Sequence, residues 1–138
     1  MNSIFVSVLS KEEHIEFWTK QAEDDWGAVE ALFTIGKYTQ CLFWAHLVAE
    51  KYTKALWIKS NIENIPPKTH NIAFLISKTN LQVPLEMTEI MLLTNKFNLE
   101  GRYPEYIQDF EINDNKVFAE ENIQQIKTLI TWLKKNLQ

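Results

Sequence analysis

Arg102 is the one arginine of the chain, and every other fixed cation is a lysine. A guanidinium is a planar fork that binds phosphate or carboxylate through two parallel hydrogen bonds and stacks on aromatic rings, which an ammonium does less well. Arg102 stands in Glu100-Gly101-Arg102-Tyr103-Pro104-Glu105-Tyr106, between a glycine and a proline. Tyr103 and Tyr106 offer rings to a base or to the guanidinium itself. The chemistry this suggests is phosphate capture. The same residues also have a packing reading, with Arg102 paired to Glu100, Glu105 or the last helix and the two tyrosines anchoring a turn.

Two more positions carry possible chemistry. Lys54 follows Glu50 by four residues, the favourable order for an ion pair on a helix surface, and reads either as that pair or as a phosphate ligand. His70 follows Lys68-Thr69 at the expected start of a short helix, where backbone amides attract anions and favour a neutral imidazole. It reads as a proton carrier or as a structural residue bonded to another helix. His46 lies on an apolar helix and reads as a core or interface residue, and His14 as a surface one. Cys41, in the run Cys41-Leu42-Phe43-Trp44, reads as a buried thiol. One cysteine allows no internal disulfide, and with three widely spaced histidines it makes no zinc site. No metal and no cofactor is expected.

The elements that must position these residues are helical. Ser10-Lys11-Glu12-Glu13 has the form of a capping box. Behind it Ile15, Trp18, Ala22, Trp26, Val29 and Phe33 recur at helical spacing, and Gly36 supplies a stop. A second helix is expected over about Tyr38 to Ser60. It is apolar on much of its girth, as in a helix central to a bundle or covered by a partner chain, and the reading here favours a dimer. Pro66-Pro67 places a loop before a short helix from His70 to Thr79 that Thr69 caps. Pro84 fits the first turn of a fourth helix, Leu99 to Asp114 reads as irregular, and a last helix opens near Asp114 and ends near Asn136. No strand pattern, repeat or low-complexity tract competes. The expected fold is all-α, an up-and-down helical bundle of four to five helices.

With 138 residues, 46% of them hydrophobic, the chain has the size and composition of a single domain over 1–138 with one core. Residues 1–9 read as an arm, flexible or packed on a neighbour. The net charge of −4 lacks the basic footprint of a general nucleic-acid binder, so any phosphate contact needs a local pocket. The N-terminus has no basic flank and only a short apolar run, and no stretch is suited to crossing a membrane. A cytoplasmic protein is expected.

Three ordered segments carry a family resemblance. They are Ala49-Glu50-Lys51-Tyr52-Thr53-Lys54-Ala55-Leu56, then Pro67-Lys68-Thr69-His70-Asn71-Ile72 with Leu75 behind it, then Gly101-Arg102-Tyr103-Pro104. With Trp18, Ala22, Asp25 and Ala28 on the opening helix and Trp132 on the last, the set resembles the HEPN domains (higher eukaryotes and prokaryotes nucleotide-binding) over nearly the whole chain. The resemblance implies a helical bundle that dimerises and pairs with a small nucleotidyltransferase. It also implies nucleotide or RNA as ligand, in a setting like toxin–antitoxin or defence systems. The ribonucleases of that family carry an arginine followed four to six residues later by a histidine. Here the chain departs, since no histidine follows His70. Arg102 fits the cation that stabilises a phosphate, while the proton-moving group is missing from its usual place. A binding module is therefore expected rather than an enzyme. The site residues would be Arg102, Tyr103, Lys54, His70 and Tyr106, and Arg102 with His70 would be the catalytic candidates of a rearranged endoribonuclease. A non-catalytic structural subunit is the remaining alternative.

Overall fold

A computed structural model describes residues 9–102 and 115–138, and of 99–102 the helical backbone alone. The described residues form five helices: α1 (Lys11–Thr34), α2 (Tyr38–Ser60), α3 (Ile72–Ser77), α4 (Leu85–Arg102) and α5 (Lys116–Leu137). The four long ones run up, down, up and down, as expected, and α2 packs against all the others.

Local chemistry sets most helix ends. Ser10 forms the expected capping box: its hydroxyl accepts from the Glu13 amide at 3.1 Å, and its own amide donates to Glu13 Oε1 at 3.0 Å. Those bonds, the backbone one first, hold the Glu13 carboxyl below its usual range. At the other end the Gly36 amide donates to Phe33 O and the Lys37 amide to Leu32 O. This 6→1 and 5→2 pair needs a left-handed residue, and Gly36 supplies it at φ 78°.

The short helix differs from expectation. It spans six residues rather than ten, and Asn71, not Thr69, caps it by accepting from the Phe74 amide. Thr69 instead accepts from the Asn71 amide, which leaves His70 ahead of the helix rather than in its first turn. Pro84 lies just before α4, its carbonyl taking the Met87 and Thr88 amides. The irregular stretch expected from Leu99 starts later, because α4 runs on through Gly101 to Arg102. Fully buried Thr94 and Phe97 hold the turns before Gly101 against the bundle.

The core is built around α2. Cys41, Leu42, Ala45, Val48, Ala49 and Leu56 all sit in it. They meet Ala22 and Val29 of α1, Met87, Ile90 and Phe97 of α4, and Ile126, Leu129 and Leu133 of α5. Most of the apolar girth of α2 is thus absorbed within one chain, with Phe43, Trp44 and Leu47 left half-buried.

Lys11 closes the open end of the α1–α2 pair. Its ammonium donates to Ile58 O, Asn61 O and Asn64 Oδ1, each at 2.8 Å, and so fills the cationic place at the C-terminus of α2. Lys11→Met keeps the stem and removes three donors. It should lower unfolding free energy by about 1.5–3 kcal/mol, read as a shift in urea midpoint with unchanged slope.

Cys41 is buried as expected, its thiol donating to Val29 O at 3.3 Å. Burial pushes the thiol up to about 11, whereas an unfolded thiol ionises near ~8.5. The unfolded chain therefore releases a proton first, and the stability this group contributes is complete below pH ~8.5 and lost as pH rises towards about 11. Denaturation midpoints from pH 8 to 11 should fall more steeply for the natural protein than for Cys41→Ala.

Candidate functional site

The site begins with α2 residues one turn apart. Glu50 and Lys54 share a face, and the pair, expected at the surface, is almost wholly buried: Glu50 is 4% exposed and Lys54 9%. Lys54 Nζ lies 3.0 Å from Glu50 Oε2. Its other side faces the Trp18 ring of α1, 5.1 Å from the centroid. The other carboxylate oxygen, Oε1, lies 2.9 Å from His70 Nδ1. One buried carboxylate thus joins a buried ammonium to a histidine side chain that is 46% exposed.

Each member is placed by local sequence. On α1, Trp18, Ala22 and Asp25 fall on one stripe facing α2. Ala22 is fully buried, and its small side chain lets the two helices approach. Trp18 then reaches Lys54, and Asp25 forms a salt bridge with Lys51. His70 is placed by the loop after Pro66-Pro67, where the Thr69 amide donates to Pro67 O at 2.9 Å and Thr69 Oγ1 takes the Asn71 amide at 3.2 Å. That double turn points the imidazole at Glu50.

The geometry selects a tautomer. A carboxylate beside Nδ1 accepts a hydrogen bond there, so the neutral ring carries its hydrogen on Nδ1 and Nε2 is the basic nitrogen. A buried carboxylate that orients a half-exposed imidazole suits proton transfer or the grip of an anion at the ring edge. Lys54 balances the charge of Glu50, so that protonated His70 would give the cluster a net positive charge.

Of the residues expected at the site, the structure brings Lys54 and His70 together through Glu50. Lys54 faces inward, towards Glu50 and Trp18, and so stands behind the surface. Arg102 is the last residue of α4. The expectations for its side chain, for Tyr103 and for Tyr106 lie outside the described residues. Sequence reasoning assigned no role here to Glu50 beyond the ion pair, and none to the rings and charges of α1. The one signal was that Trp18, Asp25, Glu50, Lys51, Lys54 and His70 all fall in the segments that carry the family resemblance. His46 is fully buried on α2. Among the described residues no group of three or more histidine, cysteine, aspartate or glutamate side chains is arranged to hold a metal ion, and no helix is long and apolar enough to cross a membrane.

A second concavity lies between α1 and α5. Trp26, Val29, Phe33, Ile123 and Lys127 line a cleft of about 570 Å³. It continues into one of about 340 Å³, floored by Val48 and Tyr52 of α2. Burial first, then the nearby Glu23 carboxylate, pushes the Tyr52 phenol above its ordinary value.

No curated protein and no solved structure was found to match the chain. The family model of the HEPN domain matches residues 15–137. That span runs from the second turn of α1 to the end of α5 and takes in every residue of the Trp18–Lys54–Glu50–His70 cluster. The chain belongs to the HEPN domain family.

Proposed function

We propose that this HEPN domain binds nucleotide or RNA phosphate beside His70. Arg102 supplies the bidentate cation, Tyr103 and Tyr106 line the ligand, and Lys54 acts from behind through Glu50. In this reading it works as a homodimer with a nucleotidyltransferase partner, in a toxin–antitoxin-like or defence setting. The observation that carries the proposal is the buried Glu50–Lys54 pair with His70 on its outer oxygen. Burying two charges costs several kcal/mol per ion before their attraction repays it, and a fold that only needed packing is served as well by apolar residues. Here the pair fixes a half-exposed imidazole.

The test is calorimetry with nucleoside mono-, di- and triphosphates and short single-stranded RNA. The natural protein should bind at least one, with affinity at least tenfold lower in Arg102→Ala and also lowered in His70→Ala. No binding by any form, or equal binding by all, would overturn the reading. Light scattering should give twice the 16.3 kDa chain mass.

A second reading is favoured by the Glu50–His70 contact. A carboxylate-held imidazole moves protons, and with Arg102 on the phosphate it would support metal-independent RNA cleavage in place of the absent downstream histidine. Purified protein incubated with RNA in chelator should then cleave it, and His70→Ala and Arg102→Ala should not. Cleavage that survives both substitutions comes from a contaminant.

A further inference from the structure

We infer that the groove between α1 and α5 docks a basic amphipathic helix of a partner protein. This does not rest on the phosphate site, which involves another face of α2. The two helices each pack on α2 but hardly on one another. They run antiparallel and leave a trough between them, floored in its narrower part by Val48 and Tyr52 of α2. From Glu120 to Lys134 its wall on α5 extends roughly 21 Å, at 1.5 Å per residue. A trough between two helices lying on a third is the kind of surface onto which one more helix packs ridges into grooves.

The lining determines what kind of helix. Trp26, Val29, Phe33 and Ile123 give an apolar floor in the wider part. Around that floor stand three exposed carboxylates, Glu30, Glu120 and Glu121, against one lysine, Lys127. The narrower part adds Glu23 and Lys134, so the rim as a whole holds four carboxylates and two ammonium groups. Both lysines lie over rings of the floor, Lys127 5.8 Å from the Trp26 centroid and Lys134 5.9 Å from that of Tyr52. The aromatic faces thus already accept cations. A helix with bulky apolar residues on one face and lysine or arginine along the edges matches the apolar floor and the mostly acidic rim. A second copy of this chain, at net charge −4, brings the wrong sign.

The test uses a fluorescein-labelled peptide of about 16 residues, about 24 Å of helix, with leucine and phenylalanine on one face and lysine at the edges. Its glutamate-edged counterpart is the control. Polarisation is read on the full chain at 0.15 M salt, where exposed charges beyond about 8 Å are screened. The lysine peptide should bind saturably and the glutamate peptide at least tenfold more weakly. Glu30→Lys with Glu121→Lys, both solvent-exposed and compatible with folding, should reduce binding at least tenfold. Glu86→Lys with Glu89→Lys, on the exposed face of α4, should change it less than twofold. Equal binding of the two peptides, no binding, or equal loss in both variant pairs would overturn the inference. So would sedimentation showing self-association that Glu30→Lys with Glu121→Lys abolishes, which would assign the groove to a second copy.

Discussion

Glu50→Ala should be among the most destabilising single substitutions outside the apolar core, at about 3–5 kcal/mol. It removes the carboxylate and leaves Lys54, 9% exposed, as a buried ammonium beside the Trp18 ring. The cost lies in that stranded charge more than in the lost attraction. The double variant Glu50→Leu with Lys54→Met should therefore recover most of the stability, since an apolar pair of similar volume avoids desolvating two ions. Urea unfolding of the single and double variants measures this. A loss below about 1 kcal/mol for Glu50→Ala would mean that water reaches the pair. The substitution should also remove the partner of His70 Nδ1. Long-range ¹H–¹⁵N spectra should show the Nδ1-protonated ring in the natural protein and a mixture of tautomers in Glu50→Ala and in the double variant. The double variant thus separates the roles: it should fold well and still fail to hold the imidazole.

Phe97→Ala should cost about 3–5 kcal/mol. Phe97 is fully buried and meets Phe118 edge-to-face at 6.4 Å, joining the last turns of α4 to the first turn of α5. Alanine there leaves a cavity that neighbouring Thr94, also fully buried, is too short to fill. Phe97→Leu should cost much less, because it retains most of the volume. The substitution also bears on function, because the turn that Phe97 anchors carries the backbone of Arg102. Hydrogen exchange should accelerate from Lys96 to Arg102 before the rest of the bundle loosens. Thermal and urea unfolding check the energy, and a loss below about 1.5 kcal/mol would show that the contact is not a structural anchor.

The helices whose ends depend on adjacent residues were legible in the sequence. Ser10 and Glu13 satisfy each other's amides, and Gly36 takes a conformation few other residues adopt, so α1 and the start of α2 follow from spacing. The cap of α3 was not legible, because Thr69 and Asn71 have equivalent side-chain chemistry two residues apart and the fold of the Pro66-Pro67 loop decides between them. The end of α4 was misplaced for a different reason. Gly101 disfavours a helix by propensity, and only the folded backbone shows that the helix passes it. The site was half legible. Glu50 and Lys54 were a visible pair, but spacing is the same for a buried pair and a solvated one. The contact of Glu50 with His70, and those of Lys54 with Trp18 and Lys51 with Asp25, join separate elements, which no periodicity reports.

The three-residue link Ile35-Gly36-Lys37 joins the two longest helices of the fold, and they form its most extensive interface. Closing so short a loop costs little entropy. The α1–α2 hairpin can therefore assemble early, with Lys11 fastening its far end, and the later helices condense on a surface already formed. In native-state exchange this pair should be the last unit to open, and substitutions in it should slow refolding more than they speed unfolding. The Trp18–Lys54 and Asp25–Lys51 contacts lie inside that unit, so half of the site's scaffold is in place before the segment bearing His70 arrives.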